Sequence, residues 1–144
     1  MTGEPFVTSV RIDAPPDDVF PYLTDPALMV RWMGDWADLQ AEPGGAFAVD
    51  IAGVPIRGRF VAVEPPHHLV FTWGAAGNDG LPPGSTTVEI TLRPDGDATV
   101  VDLVHRDLPP DERPKHGVGW GHYLPRLAVA AAGGEPGPDT WEAA

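Results

Sequence analysis

The 144 residues predict an α+β domain in which a curved antiparallel sheet of about seven strands is covered by one long C-terminal helix. Three observations lead to this fold class. Segments of alternating polarity follow one another along most of the chain, turn-forming sequences join them, and an amphipathic helical pattern comes last. The short connections favour an antiparallel meander over parallel crossover units. We expect residues 1–132 to form the domain and residues 133–144 to form a polar, extended tail.

The N-terminal part predicts one strand followed by two short helices. Apolar and polar residues alternate over 5–14, "PFVTSVRIDA", and Pro15 ends this strand. A proline and two acidic residues then favour a short helix over 16–23, because negative charge stabilises a helix N-terminus. In "TDPALMVRWMG", Asp25 is placed to cap a second short helix, which Gly34 ends.

Six more strands are predicted before the C-terminal helix. They are separated by turn sequences rich in glycine, proline and aspartate, such as "EPGG", "EPPH" and "PDGD". The expected spans are 36–41, 45–53, 55–64, 68–74, 85–93 and 98–107. The order of elements is therefore one strand, two short helices, six strands and a long helix.

The last pattern, "HGVGWGHYLPRLAVAAAGG", predicts a helix over about 116–132 in spite of its glycines. Pro125 falls on the polar side, where it is expected to bend the helix towards the sheet. A helix laid across a curved sheet rarely fills the space beneath it, so we expect an internal cavity. The apolar stripe that would cover this cavity comprises Trp120, Tyr123, Leu124, Leu127 and Ala131.

Composition and motifs argue against several classes of function. A formal net charge of −12 disfavours nucleic acids and anionic membrane surfaces as partners. The absence of cysteine excludes disulfides, thiolate metal sites and a cysteine nucleophile. The histidines lack metal-ligand spacing, and no phosphate-binding or dinucleotide motif is present, so neither a metal nor a cofactor is expected. Without a signal-like or membrane-spanning segment, we expect a cytoplasmic protein with no membrane insertion.

Aromatic residues are more numerous than a small sheet core needs, which favours a cavity for a small hydrophobic molecule. For any single aromatic side chain, ordinary core packing is the simpler interpretation, because cores and cavities are lined by the same residue types. The residues expected to contact the ligand are Trp32, Trp36, Phe47, Phe71, Trp73, Leu103, His105, Trp120, Tyr123 and Leu124.

Three polar residues, His105, Arg59 and Tyr123, are candidates for chemistry in such a cavity. His105 lies on the expected inner face of the last strand and would act as an acid or base, although a hydrogen-bonded structural histidine is the simpler interpretation. Arg57 and Arg59 share one face of a strand. Either both are solvated, or at least one points inward and binds the polar end of a ligand, such as a carboxylate or phenolate.

Five segments in order carry a resemblance to a known family: "VRIDAPPDDVFPYLTDPALMVRWMG", "PGGAFAVDI", "GRFVAVEPPHHLVFTW", "TTVEITLRPDGDATVVDLVHRDL" and "HGVGWGHYLPRLA". Across about residues 6–132, the chain resembles bacterial single-domain members of the heat-shock-protein ATPase-activator-homologue group. That group belongs to the superfamily of steroidogenic-acute-regulatory-related lipid-transfer (START) domains and birch-pollen allergens, which also contains polyketide cyclases and aromatases. The resemblance implies the helix-grip fold around a hydrophobic cavity, and it carries over no catalytic set.

Three functions are consistent with these observations. The first is binding of a small hydrophobic molecule, aromatic or lipid-like, by a monomer or homodimer. The second is a cyclase, aromatase or dehydratase that uses His105, Arg59 and Tyr123 as its polar groups. The third, stimulation of a chaperone ATPase through the outer surface, is suggested only by the resemblance. We expect 144 residues to leave no room for the additional domain that such activators use.

Overall fold

The order of elements in the computed structural model, which describes residues 4–140, follows the predicted order closely. Seven antiparallel strands form one curved sheet in the order β1-β7-β6-β5-β4-β3-β2, and a long C-terminal helix lies against it. The predicted fold class is confirmed. The elements are β1 (Phe6–Ile12), α1 (Pro16–Val19), α2 (Pro21–Thr24), α3 (Pro26–Met29), β2 (Trp36–Leu39), β3 (Ala46–Ile51), β4 (Val54–Glu64), β5 (His68–Trp73), β6 (Thr86–Asp95), β7 (Ala98–Arg106) and α4 (Glu112–Ala131).

The strands alternate in burial as the sequence pattern predicts. Along β6, buried Thr86, Val88, Ile90 and Leu92 alternate with half-buried neighbours. Successive side chains of a strand point to opposite faces, so these four residues share the face that packs into the core. The alternation of polarity therefore places the core on one face of the sheet.

The first predicted short helix is divided in two by a proline. α1 ends at Val19, and α2 begins at Pro21. Proline has no N–H to continue the helical hydrogen bonds, but it suits the first turn of a new helix. The predicted cap of the next helix is present, since Asp25 Oδ1 accepts a hydrogen bond from the backbone N–H of Ala27 at 2.9 Å. That helix, α3, ends at Met29, before the predicted end at Gly34.

The long helix α4 begins at Glu112, earlier than the predicted start near residue 116, and its glycines lie within the helix. Gly117 faces the ring of Phe6 on β1, where a Cβ would stand only 3.1 Å from Phe6 Cε1. The helix continues through Pro125, whose side chain is exposed. The predicted apolar stripe is buried and consists of Trp120, Tyr123, Leu124, Leu127 and Ala131.

Aromatic side chains fill the centre of the core. Phe47 on β3 stacks on Phe71 on β5 with ring centroids 4.1 Å apart and an angle of 12° between the planes. Phe60 on β4 meets Phe47 edge-on, with a centroid distance of 5.6 Å. All three are almost fully buried, and each such side chain contributes about 1.5–3 kcal/mol of burial free energy. The middle of the sheet is therefore solidly packed.

The segment after α4 differs from the predicted extended tail, because residues 133–140 fold back along the helix. Gly133 and Gly137 have φ angles of +92° and +81°, which reverse the chain direction at little cost for glycine. Glu135 pairs with Arg31 at 3.1 Å. Polar contacts to Arg31, just after α3, and to α4 thus dock this part of the tail, while the predicted tail residues 141–144 lie outside the described residues. Within residues 4–140, no helix is long and apolar enough to cross a membrane.

Candidate functional site

A cavity of about 430 Å³ lies between the sheet and the N-terminal half of α4. Its other walls are the β3–β4 hairpin, the end of β5 and the loop 74–85. Most of its lining side chains are apolar, with a few polar groups, which is the usual make-up of a small-molecule site. The lining residues are Met33, Ile51, Val54, Ile56, Trp73, Ala75, Asn78, Leu81, Glu112, Lys115, His116, Val118, Gly119, Trp120 and Tyr123.

A tight hairpin supplies one wall. Ile51 pairs with Val54 across the end of β3 and β4, and Ala52 and Gly53 form the connection with φ angles of +50° and +82°. Two successive positive φ angles are typical of a two-residue hairpin turn whose twist matches the strands. The turn brings Ile51 and Val54 together at the cavity, and Ile56 follows on the same face of β4.

The loop 74–85 supplies a second wall, next to the hairpin, by folding back onto β4. Ala75 forms an isolated β-bridge with Ile56 and donates its N–H to the carbonyl of Leu81 at 2.8 Å. Gly74 makes this path possible, because a Cβ there would overlap the carbonyl of Pro82. Ala75 and Leu81 are therefore held against the cavity as buried apolar groups.

Two indole–imidazole hydrogen bonds connect the sheet to α4 beside the cavity. Trp120 Nε1 on α4 donates to His105 Nδ1 on β7 at 3.1 Å. Trp73 Nε1 on β5 donates to His116 Nε2 on α4 at 3.2 Å. The two imidazole rings are perpendicular neighbours with centroids 5.1 Å apart. Each histidine nitrogen that receives an indole N–H must be the unprotonated one.

The remaining ring nitrogens are also engaged. His105 Nε2 lies 2.9 Å from Thr86 Oγ1, and that hydroxyl donates to the carbonyl of Trp73 at 2.8 Å. His105 Nε2 therefore donates its proton to the threonine oxygen. His116 Nδ1 lies 2.9 Å from the carbonyl of Glu112 and donates to it. Each histidine is thus held in a single neutral tautomer, with the proton on Nε2 in His105 and on Nδ1 in His116.

The electrostatics agree with neutral rings. Burial, and to a lesser extent the nearby His116, lower the pKa of His105 to about 3. Burial also lowers the pKa of His116, against the opposing effect of its bond to Glu112. At neutral pH these two residues act as hydrogen-bonding parts of the core. Within residues 4–140, no group of three His, Cys, Asp or Glu side chains could hold a metal ion.

Three of the ten residues predicted to contact ligand line the cavity: Trp73, Trp120 and Tyr123. His105 is fully buried beneath Trp120 and does not border the cavity. The large side chains near the middle of the sheet pack within the core and do not reach the cavity. These buried residues outside the lining are Trp32, Phe47, Phe71, Leu103 and Leu124.

The expectation that Trp36 faces the cavity is not met. Trp36 is 47% exposed on the outer side of β2, where the guanidinium of Arg57 lies 5.3 Å from the centre of its ring. Arg57 also binds Asp50 across the hairpin, with 2.9 Å between Nη1 and Oδ1. Arg59 is exposed. Of the two interpretations of these arginines, the structure shows the solvent-facing one, since unpaired guanidinium groups are costly to bury.

The three candidates for acid–base chemistry therefore do not meet in the cavity. His105 is sealed in the core, Arg59 is exposed, and only Tyr123 lines the cavity. The Tyr123 hydroxyl donates to Asp139 Oδ2 at 2.6 Å. Burial, and then this carboxylate, raise the pKa of Tyr123 well above its usual value.

Polar residues in the first turns of α4 line the cavity but were missed from the sequence. Glu112, Lys115 and His116 lie there, whereas a helix start near 116 left the first two in a loop. The signal that would have found them is the spacing of Glu112 and His116, which places residues four apart on one helix face. The glycines that follow concealed this helical continuity.

Comparison with known proteins identifies the family. The profile described as "Activator of Hsp90 ATPase homolog 1-like protein" matches residues 13–132. An AHSA1-like protein from Rhizobium etli is 40% identical, with a TM-score of 0.72 over 99% of this chain and 92% of that one. CalU16 from Micromonospora echinospora is 31% identical, with a TM-score of 0.76 over 92% of this chain and 68% of that one.

DynU16, a protein of the dynemicin biosynthetic locus, is 26% identical with a TM-score of 0.83. The match covers 97% of this chain and 51% of DynU16, so this chain spans about half of that protein. No curated protein sequence matches. On the profile match and the likeness to the Rhizobium etli protein, this chain belongs to the activator of Hsp90 ATPase homologue 1-like family.

Proposed function

We propose that this protein binds a small hydrophobic molecule in the cavity between α4, the β3–β4 hairpin and the loop 74–85. The observation that carries the proposal is the cavity itself, about 430 Å³ in volume and walled mainly by apolar side chains. Sites for small molecules typically have volumes of about 300–1,000 Å³. Two indole rings, those of Trp73 and Trp120, form part of the wall and offer flat apolar surfaces to a ligand.

The packing of the remaining core supports this proposal. Protein interiors contain few voids larger than a water molecule, because lost contacts make empty space costly. Here the large side chains of Phe47, Phe60 and Phe71 pack together and leave no space at the centre of the sheet. The space beside Trp120 is nevertheless left open. A ligand that occupies this space explains why the sequence leaves it unfilled.

Binding is favoured over the enzymatic alternative by the placement of the polar candidates. A general acid or base must lie within hydrogen-bond reach of the substrate. His105 is buried outside the cavity lining, and both of its ring nitrogens are engaged by Trp120 and Thr86. Arg59 is exposed. Non-covalent binding needs neither residue.

A cavity-filling substitution tests the proposal directly. Val54→Trp places an indole at the mouth of the cavity, where Val54 is half-buried and lines the wall. Val61→Trp is the matched control, because Val61 lies on the same strand, is 53% exposed and does not line the cavity. The probe is N-phenylnaphthylamine, a neutral aromatic amine whose fluorescence rises in apolar surroundings.

We expect the unmodified protein and Val61→Trp to bind the probe with similar affinity. Val54→Trp should bind at least about tenfold more weakly, because the probe loses most of the apolar surface it would bury. Equal binding by both variants, or no binding by the unmodified protein, would overturn the proposal. Native mass spectrometry of the purified protein provides a second readout, since a retained ligand appears as an added mass that Val54→Trp removes.

A further inference from the structure

The polar groups around the cavity differ in whether they are already engaged within the protein. The indole N–H groups of Trp73 and Trp120 are bonded to His116 and His105. The other nitrogen of His116 donates to a backbone carbonyl, and the hydroxyl of Tyr123 donates to a carboxylate. The donor hydrogens of these groups are already bonded within the protein, so they offer a ligand few additional hydrogen bonds.

The carboxylate of Glu112 is different. Its side chain is only 14% exposed and lines the cavity. Within residues 4–140, the contacts of its carboxylate with basic side chains are Lys115 Nζ at 3.5 Å and Nδ1 of the neutral His116 ring at 3.6 Å, and this Nδ1 already donates to the Glu112 carbonyl. Both distances exceed the 2.7–2.9 Å typical of a charge-assisted hydrogen bond. The carboxylate therefore keeps strong acceptor capacity on the cavity side.

Lys115 is a weaker candidate for holding a ligand. Its side chain is 66% exposed, so water screens its charge and hydrates its ammonium group. The net charge of −12 also disfavours the approach of an anion and favours that of a cation.

We infer that the ligand of the cavity is an apolar molecule that bears a protonated amine, with the ammonium group bound to the carboxylate of Glu112. This inference rests on the proposed function and specifies the chemical class of its ligand. The apolar part lies against the wall around Trp73 and Trp120, and the ammonium group lies at the end formed by the first turns of α4. A carboxylate accepts hydrogen bonds but donates none, so it selects a donor-bearing ligand.

Three dansyl amides of nearly equal size test the inference. Dansylcadaverine carries a terminal ammonium group, the pentyl dansylamide carries a terminal methyl group, and the dansyl amide of aminohexanoic acid carries a carboxylate. Glu112→Gln keeps the size of the side chain but removes its charge. Glu42→Gln, in the exposed β2–β3 connection, is the control for the change in net charge. Thermal unfolding verifies that both variants are folded.

We expect dansylcadaverine to bind about tenfold more tightly than the neutral amide, as a hydrogen bond to a charged group predicts. Glu112→Gln should remove this preference without weakening the neutral amide, whereas Glu42→Gln should retain it. Equal binding of the three amides, or tightest binding of the anionic one, would overturn the inference while the proposed function stands. Failure of all three amides to bind, or binding that is unaffected by Val54→Trp, would instead overturn the proposed function.

Discussion

The indole of Trp120 donates a hydrogen bond to Nδ1 of His105 across 3.1 Å, and both side chains are buried. This bond joins the middle of α4 to β7, directly behind the cavity wall. No buried side-chain nitrogen or oxygen within residues 4–140 lacks a hydrogen-bond partner. The hydrogen bond between Trp120 and His105 therefore holds the helix in position, and it leaves no buried side-chain polar atom unpaired among the described residues.

Replacing either indole by phenylalanine should reveal how much its hydrogen bond contributes. Trp120→Phe leaves His105 Nδ1 buried without a donor, which costs about 1–3 kcal/mol beyond the lost packing. Trp73→Phe deprives His116 of its donor, but His116 borders the cavity, where water can replace the indole N–H. Urea unfolding should therefore show a larger loss for Trp120→Phe. Equal losses would contradict the assigned role of the buried bond.

His105 should make the fold less stable in acid. Its pKa is about 3 in the folded protein against 6.5 for the free side chain, so the unfolded state binds more protons between these values. The free energy of unfolding should fall as pH drops below 6.5, by up to about 1.4 kcal/mol per pH unit from this residue. His105→Gln lacks this titration. Urea unfolding at about pH 7 and about pH 5 should show the advantage of the unmodified protein shrinking in acid. A constant difference would refute this assignment.

His68 should have the opposite pH dependence. It binds Glu89 through Nε2 at 2.7 Å and Glu64 through Nδ1, and these two bonds raise its pKa. The stabilisation is fully present below 6.5 and is lost as pH rises through the raised pKa. His68→Gln should therefore cost more stability at about pH 5.5 than at about pH 9, measured by urea unfolding. A cost that grows with pH would show that the imidazolium pairs are not formed.

The docked tail should detach when Asp139 is removed. Asp139 Oδ1 lies 2.8 Å from His122 Nε2, and Oδ2 accepts the bond from Tyr123. Asp139→Ala should speed hydrogen–deuterium exchange of residues 133–140 roughly tenfold, because a charge-assisted bond that holds the segment is lost. Asp97→Ala, in the exposed β6–β7 turn, is the control and should leave this exchange unchanged. Unaltered exchange in Asp139→Ala would mean that other contacts hold the tail.

The course of the strands was predictable because alternation of polarity directly encodes which face of a strand is buried. β6 illustrates this, since Thr86, Val88, Ile90 and Leu92 are predicted on one face and buried there. The start of α4 was not predictable to the same degree. Glycine disfavours helices in isolation, whereas here packing against Phe6 stabilises a helix that contains Gly117.

The position of the cavity depends on tertiary packing that no local pattern encodes. Phe47 and Phe71 were predicted to contact ligand, but they stack on each other and fill the centre of the sheet. Trp73 and Trp120 lie outside this stack and line the cavity. Aromatic content predicted that a cavity would exist, and only the pairing of particular rings decides which of them border it.

The close approach of Gly117 to Phe6 makes this glycine the spacer between α4 and the edge strand β1. A methyl group at this position would touch the phenyl ring at 3.1 Å, closer than two such carbon atoms normally approach. Either the ring or the helix would have to shift outwards. A single methyl group at residue 117 would therefore change the distance between the long helix and the edge of the sheet, and the present distance depends on the absence of a side chain at this position.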